Sequence, residues 1–200
     1  MIITIGRQYG CGGKEIGEKV AQRLGYTFYD KEILTMAAEE SGLSPAAMEH
    51  YDEKPTGSLI YSLYMTGAAT ADSLPLNQQL AFAQFNLIRK LSQNDNCIFL
   101  GRCSDYILRE KKNLVTVFLH APMEHRVQRV MQEQGISNPT LAEKTIRKAD
   151  KSRGDYYNFF THKKWGDAGS AMLSVDTSIL DPDGIAALIA DCVTMIQRNR

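Results

Sequence analysis

Residues 6–14, which read GRQYGCGGK, combine glycines and cations at a spacing that could bind an anion. An apolar run at 2–5 precedes this segment and a helical pattern follows it, so we predict a turn between a strand and a helix. Glycines allow successive backbone N–H groups to curve around an anion, and the N-terminus of the following helix adds partial positive charge. Lys14 adds a mobile cation. The pattern predicts a phosphate site; the alternative is a glycine-rich turn that binds nothing.

The loop differs from the common phosphate-binding motif G-x-x-x-x-G-K-[S/T]. If Gly13 and Lys14 were its G-K pair, position 8 would be glycine, but the chain has Gln8 there. Glu15 follows Lys14, so the hydroxyl that usually binds Mg²⁺ is missing. We still expect the loop to contact phosphate or nucleotide, through Arg7, Gly10, Cys11, Gly12, Gly13, Lys14 and Glu15.

Arginines also follow later apolar runs. Arg102 comes directly after the run at 97–100 and could offer a two-pronged hydrogen bond to a phosphate or carboxylate. Its alternatives are a helix cap or a pair with an acid. Arg126 and Arg129 lie three residues apart on a predicted helix, where the common alternative to a binding role is a solvated face.

A further acid and arginine share one face of a later helical segment. Asp150 and Arg153 lie three residues apart, and residues at that spacing are neighbours on a helix surface. The spacing favours an ion pair that holds the guanidinium toward a ligand. An ordinary surface pair is the alternative.

Charge and cysteine content exclude several classes of protein. Lysine and arginine total 23 and aspartate and glutamate total 23, so no overall positive field draws the chain to nucleic acid or anionic lipid. The four cysteines form no C-x-x-C pair and accompany no histidine cluster, so we predict no metal site. We recognise no signal peptide and no apolar run long enough to cross a bilayer, and therefore expect a cytoplasmic protein without a membrane partner.

Short apolar runs alternate with longer segments of helical periodicity. The runs predict strands at 2–5, 27–29, 97–100, 115–119 and 172–175, and the other segments predict helices at 15–24, 80–91, 124–134, 141–160 and 185–196. Buried strands that alternate with helices indicate a three-layer α/β/α fold around a five-stranded parallel sheet. Ligands of such sheets bind beyond the carboxyl ends of the strands, where the glycine loop, Gly101-Arg102, His120-Ala121 and Asp176-Thr177 all fall.

The 200 residues suit a single domain. We assign 1–43, 76–140 and 165–200 to its core, 44–75 to a mobile helical insertion, and 141–164 to a lid-like helical segment. The insertion is rich in Gly, Ser, Thr, Tyr and Met and carries no strand pattern. It either closes over a ligand or packs against a second subunit, so a homodimer remains among the expected partners.

These features together resemble the nucleoside monophosphate kinases, and most closely the cytidylate kinase-like family. The marks of that family are a G-x-G-G-[K/R]-E-I loop at 10–16, a YDKEI stretch at 29–33, G-R-x-x-D-Y at 101–106, D-x-x-R followed by tyrosines from 150, and WGD at 165–167. They occur in order over nearly the whole chain. The resemblance implies an α/β fold of the P-loop nucleoside monophosphate kinase type.

The resemblance also implies an activity. It points to a transferase that moves the γ-phosphoryl group of ATP to a small phosphorylated acceptor, a nucleoside monophosphate such as CMP or dCMP, with Mg²⁺ carried by ATP. The catalytic residues that it implies are Lys14, Asp150 and Arg153, with Arg7 as the alternative to Lys14 for offsetting charge near the β,γ-bridging oxygen. The acceptor-binding residues that it implies are Arg102, Asp105, Arg126, Arg129 and Arg147.

The loop and three further positions depart from the cytidylate kinase pattern. Lys14 lies one place later than the kinase lysine when Gly10 and Gly12 are aligned. Ile146 stands where the leading arginine of the lid would be, His120 replaces an acidic residue, and Cys103 replaces the aspartate after Gly-Arg. Each change removes a group that a cytidylate kinase uses for base, phosphate or metal. Two alternatives therefore stay open. One is a nucleotide-binding protein with little or no kinase activity that acts as a sensor or partner-binding module, and the other is a kinase for a non-nucleotide small molecule.

Overall fold

A computed structural model describes residues 1–42 and 76–199. The strands in these residues are β1 (Ile2–Arg7), β2 (Thr27–Tyr29), β3 (Cys97–Leu100), β4 (Leu114–His120) and β5 (Leu173–Asp176). They form one parallel sheet in the order β2-β3-β1-β4-β5. The predicted five-stranded parallel sheet is confirmed, and the insertion predicted at 44–75 lies outside the described residues.

Helices cover both faces of the sheet. Those in the described residues are α1 (Gly13–Leu24), α2 (Glu32–Ser41), α3 (Leu76–Leu91), α4 (Ser104–Ile107), α5 (Met123–Gln134), α6 (Pro139–Thr161) and α7 (Pro182–Arg198). The sequence did not predict α4, because 4 residues are too few to show a helical period. Helix α6 begins earlier than predicted because the Asn138 side chain accepts hydrogen bonds from the N–H groups of its first turn, where Pro139 also fits.

The sheet separates two apolar layers. On one face, Ile3 and Ile5 of β1 belong to a buried cluster that includes residues of α1 and α7. On the other face, Ile2 and Phe99 belong to a cluster that includes residues of α2, α3 and α6. Alternate residues of a strand point to opposite faces, and both sets are buried here, which is why the strands read as continuous apolar runs.

A smaller apolar cluster joins α5 and α6 to the glycine loop. Val130, Ala142 and Ile146 are each 0% exposed in it, and Tyr9 of the loop packs against them. Ile146 is the residue that replaces the expected lid arginine. Its side chain fills the space between two helices, so this departure from the cytidylate kinase pattern is a packing feature. The segment predicted to be lid-like is docked on the loop.

Polar groups reinforce this contact at Tyr9. Its N–H donates to Oδ1 of Asp150 at 2.7 Å, and its carbonyl accepts a hydrogen bond from Nη1 of Arg126 at 3.3 Å. Nη1 of Arg126 also donates to Oδ2 of Asp150 at 2.5 Å. We interpreted the sequence as pairing Asp150 with Arg153 along one helix. The structure instead pairs Asp150 with Arg126 of the neighbouring helix, and this pair holds the loop backbone.

We predict that Asp150→Ala lowers the free energy of unfolding by about 3 kcal/mol, because it leaves the Arg126 guanidinium and the Tyr9 N–H without their carboxylate partner. The Asp150 and Arg126 side chains are 17% and 7% exposed, so water restores little of the lost interaction. Urea denaturation measures the change.

The matched control is Asp155→Ala on the same helix, which removes the exposed ion pair with Lys151 and should cost less than about 1 kcal/mol. In the double variant Asp150→Ala with Arg126→Ala, the loss should be smaller than the sum of the two single losses. Equal losses in Asp150→Ala and Asp155→Ala would contradict the anchoring role.

Candidate active site

Gly10 and Gly12 shape the loop that follows β1. Both adopt a φ of 78°, in the left-handed region that favours glycine. A Cβ atom on Gly10 would lie 2.8 Å from Cγ2 of Val130, and one on Gly12 would lie 2.7 Å from Nη1 of Arg129. Side chains of α5 therefore pack directly on the loop backbone, and only glycine permits this approach at the two positions.

The end of β4 and the residue after β5 hold another side of the loop. The N–H of Gln8 donates to the carbonyl of Leu119 at 2.9 Å, and the hydroxyl of Thr177 donates to the carbonyl of Cys11 at 2.9 Å. The Cys11 thiol is buried and donates to the same Leu119 carbonyl at 3.6 Å. Burial raises its pKa to about 11, so the thiol stays protonated at neutral pH. Cys11 is a packing residue of the loop.

A cavity of about 480 Å³, which we call the loop cavity, opens over the glycine loop. It extends to Asp30, Lys31 and Leu100 at the carboxyl ends of β2 and β3. The cations along its wall are Arg7, Lys14, Lys31, Arg129 and Arg153. The N-terminal turn of α1 adds the positive end of a helix dipole. The size of the cavity suits a polyphosphate ligand. Its five cations outnumber by one the carboxylates that also line it, which belong to Glu15, Glu18, Asp30 and Glu133.

Arg129 and Lys14 have acidic partners among the residues that the structure describes. Nη2 of Arg129 lies 2.7 Å from Oε2 of Glu15, and its Nε lies 2.6 Å from Oε1 of Glu133. Glu15 therefore holds Arg129 over the loop. Nζ of Lys14 lies 3.8 Å from Glu18, and the Lys14 side chain is 66% exposed, which leaves this lysine weakly held at the surface.

A second cavity, which we call the aromatic cavity, has a volume of about 50 Å³ and lies against β1 and β4. Phe118, Tyr156 and Trp165 contribute its rings, and the rings of Phe118 and Trp165 meet edge to face with centroids 5.5 Å apart. Its half-buried polar pair is Asp105 and Tyr157, whose hydroxyl donates to Oδ2 of Asp105 at 2.7 Å. Burial raises the pKa of Asp105, and the hydrogen bond from Tyr157 opposes that shift.

Arg7 and Arg153 line both cavities. Nη1 of Arg153 donates to the carbonyl of Arg7 at 3.3 Å, and its guanidinium carbon lies 5.3 Å from the centre of the Tyr9 ring. Helix α6 thus brings Arg153 to the end of β1. The two arginines mark the place where the loop cavity and the aromatic cavity meet.

The arginines that we expected at the acceptor differ in their surroundings, and Arg102 lines the aromatic cavity. Arg102 is 2% exposed, donates to the carbonyl of Leu100 at 3.2 Å and lies 3.6 Å from Oδ1 of Asp30. Arg147 pairs with Glu143 one turn earlier on α6, with its side chain 67% exposed. Arg147 is absent from the described residues that line the two cavities.

Several residues that the structure places at the site could not be recognised from the sequence. Tyr9 lies inside the loop motif, and nothing in its type or spacing indicated that it joins two helices. Among the aromatic residues after Asp150, Tyr156 and Phe160 are buried in the core, 4% and 3% exposed. Tyr156, Tyr157 and Trp165 line the aromatic cavity.

Other kinds of site were searched for in residues 1–42 and 76–199. No three His, Cys, Asp or Glu side chains within that part are grouped so that they could hold a metal ion. No helix within it has the length and apolar character needed to span a bilayer. All four cysteines are free thiols.

Solved structures share this architecture. An uncharacterized protein from Eubacterium ventriosum is 29% identical, with 98% of each chain covered and a TM-score of 0.74. A shikimate kinase from Bacteroides thetaiotaomicron is 12% identical over 97% of this chain and 98% of its own, with a TM-score of 0.55. A gluconokinase from Sinorhizobium meliloti is 15% identical over 98% of this chain and 93% of its own, with a TM-score of 0.53. At these identities the two kinases show a common fold.

Curated proteins provide no match to the sequence. A family model, described as the cytidylate kinase-like family, matches residues 2–179. The match includes the glycine loop, α5, α6 and both cavities, so it covers the elements that build the site as well as the sheet. The chain therefore belongs to the cytidylate kinase-like family and has the P-loop kinase fold.

Proposed function

We propose that the protein transfers the γ-phosphoryl group of ATP to a nucleoside monophosphate of the CMP or dCMP type. One observation carries the proposal: the cation-lined loop cavity and the aromatic cavity meet at Arg7 and Arg153. Phosphoryl transfer needs donor and acceptor in line and positive charge around the moving group, and little covalent chemistry from the protein. Two adjoining cavities with shared arginines provide both.

The loop cavity is the proposed donor site. Backbone N–H groups of 10–13 and the N-terminus of α1 would hold the β-phosphate, as at other helix N-termini that bind anions. Glu15 is engaged by Arg129, so it supports a cation of the protein. We therefore propose that Mg²⁺ enters with ATP and is held by phosphate oxygens and water, which this ion readily keeps as ligands.

The aromatic cavity is the proposed site for the acceptor base. Its volume of about 50 Å³ is smaller than the roughly 150 Å³ of a cavity that holds benzene, so the walls would have to move apart for a base to enter. Aromatic walls favour stacking on the ring of a base. The Asp105 carboxylate can accept a hydrogen bond from an exocyclic amine, which cytosine has and uracil lacks. These features favour a cytosine acceptor.

A second candidate function has one observation in its favour. Arg102, which the family resemblance assigned to the acceptor phosphate, lines the aromatic cavity, but it is 2% exposed and its guanidinium already contacts the Leu100 carbonyl and Asp30. An acceptor without a phosphate would not need it. A kinase for a compact non-nucleotide metabolite therefore stands as the alternative.

A substrate panel tests the proposal. The protein is incubated with ATP and Mg²⁺ and, separately, with CMP, dCMP, UMP, AMP, GMP, shikimate or gluconate, and ADP release is measured. We expect the highest kcat/KM with CMP or dCMP. Turnover with only a non-nucleotide would support the second candidate, and saturable ATP binding without turnover would indicate a sensor and contradict a kinase.

We predict that Arg153→Gln lowers kcat about 100-fold or more with the best acceptor, because the substitution removes positive charge from the junction of the two cavities. Steady-state kinetics with the purified variant measure the effect. Lys148→Gln, an exposed position on the same helix, is the charge-matched control and should keep its turnover. If Arg153→Gln kept the kcat of the wild type, Arg153 would have no role in the transfer step.

We predict that Asp105→Asn raises the KM for CMP about 10-fold or more and leaves the KM for ATP unchanged, because the amide loses the charge-assisted hydrogen bond to the base. Since burial raises the pKa of Asp105, the KM of the wild type should begin to rise with falling pH earlier than for an ordinary aspartate. Glu110→Gln on the surface is the control. Equal changes in both KM values would contradict an acceptor-specific role.

A further inference from the structure

Compared with the common motif, the glycine loop has a cation and a glycine at interchanged positions. When Gly12 is aligned with the second glycine of G-x-x-x-x-G-K-[S/T], the lysine of the motif falls on Gly13 and its first glycine falls on Arg7. The chain thus has glycine where the motif has its cation, and a cation where the motif has glycine. The two substituted positions lie six residues apart, at opposite ends of the loop.

The structure brings these two positions into contact. A Cβ atom on Gly13 would lie 2.9 Å from Cβ and 2.9 Å from Cγ of Arg7. The Arg7 side chain therefore crosses the backbone of Gly13, in the space from which a lysine side chain would start. Arginine at 7 and a side chain at 13 exclude each other sterically, so the two substitutions are physically linked.

The positive charge of Arg7 also lies at the site. Arg7 lines both cavities, and its carbonyl accepts the hydrogen bond from Arg153. Burial dominates the raised pKa of Cys11, and the charges of Arg153 and Arg7 act on it in the opposite direction, as expected for guanidinium groups close to the loop. Lys14, in contrast, is 66% exposed and lies near Glu18 on the outer side of α1.

We propose that Arg7 is the catalytic cation of the loop, in the place that the motif gives to lysine. The inference rests on the proposed function and moves the role expected of Lys14 to Arg7. During transfer, the bond from the γ-phosphorus to the β,γ-bridging oxygen breaks, and an oxygen of the acceptor forms the new bond to phosphorus. ADP leaves with the electron pair. Arg7 stays protonated and offsets the charge that develops on the bridging oxygen.

The test is the exchange of the two residues. Arg7→Gly should lower kcat about 100-fold or more, and Gly13→Lys alone should lose activity because its Cβ meets Arg7. The double variant Arg7→Gly with Gly13→Lys restores the first glycine and the lysine of the motif, with Lys14 still at its Ser/Thr position, and should recover kcat to within about 10-fold of wild type. Lys14→Gln should lose less activity than Arg7→Gly.

Two further measurements separate folding and function. Arg7→Gln keeps the Cβ and Cγ that cover Gly13 and removes the charge. If Arg7→Gly does not fold, the kcat of Arg7→Gln is measured in its place. Stabilisation by inorganic tripolyphosphate, measured as the rise in Tm, should fall in both Arg7 variants and return in the exchange variant. This readout requires no phosphoryl transfer.

The outcomes distinguish the two proposals. If the wild type transfers phosphate and Arg7→Gln keeps its kcat, or if the exchange variant is no better than Arg7→Gly, the role of Arg7 is overturned while the kinase proposal stands. A different outcome is that no acceptor is phosphorylated, but stabilisation by tripolyphosphate falls in both Arg7 variants and returns in the exchange variant. In that case Arg7 is the cation that binds phosphate, and the kinase proposal is overturned. If tripolyphosphate does not stabilise the wild type and no transfer occurs, both are overturned.

Discussion

The hydrogen bonds between Tyr9, Asp150 and Arg126 hold the glycine loop against α5 and α6, and the arrangement of the site depends on them. Asp150 accepts from the Tyr9 N–H at 2.7 Å and from Arg126 at 2.5 Å, and the buried cluster around Ile146 lies behind these groups. Because α6 is docked in this way, Arg153 lies at the end of β1 before any ligand binds. Cations that are already in place need no rearrangement as charge develops during transfer, which is the main source of electrostatic catalysis.

The close approach of elements around the loop sets the residue types there. Arg129 lies over Gly12 and Val130 over Gly10, while Arg7 lies over Gly13. A comparable constraint follows β3, where Gly101, Arg102 and Cys103 have φ values of 78°, 56° and 56°. Left-handed backbone at two non-glycine residues costs free energy. The buried contact of Arg102 with Asp30 links that turn to the end of β2 and opposes this cost.

The fold could be predicted because each strand and helix is marked by a pattern within its own short stretch of sequence. Continuous apolar runs marked the five parallel strands, and helical periodicity marked α1, α3, α5, α6 and α7. The candidate site was predicted only in part. Spacing along one helix suggested that Asp150 pairs with Arg153, but Arg126, 24 residues away in sequence, supplies the partner across the helix interface. The burial of Arg102 and the contact of Arg7 with Gly13 likewise depend on packing between distant segments, which periodicity does not encode.

The central claim is that one polyphosphate binds between the glycine loop and the converging arginines. The most direct measurement is a crystal structure with a non-hydrolysable ATP analogue and Mg²⁺. The account predicts density for the triphosphate in the loop cavity, with the β-phosphate within hydrogen-bonding distance of the N–H groups of 10–13 and the γ-phosphate beside Arg7 and Arg153. A triphosphate bound elsewhere on the molecule, or no bound analogue at saturating concentration, would contradict it.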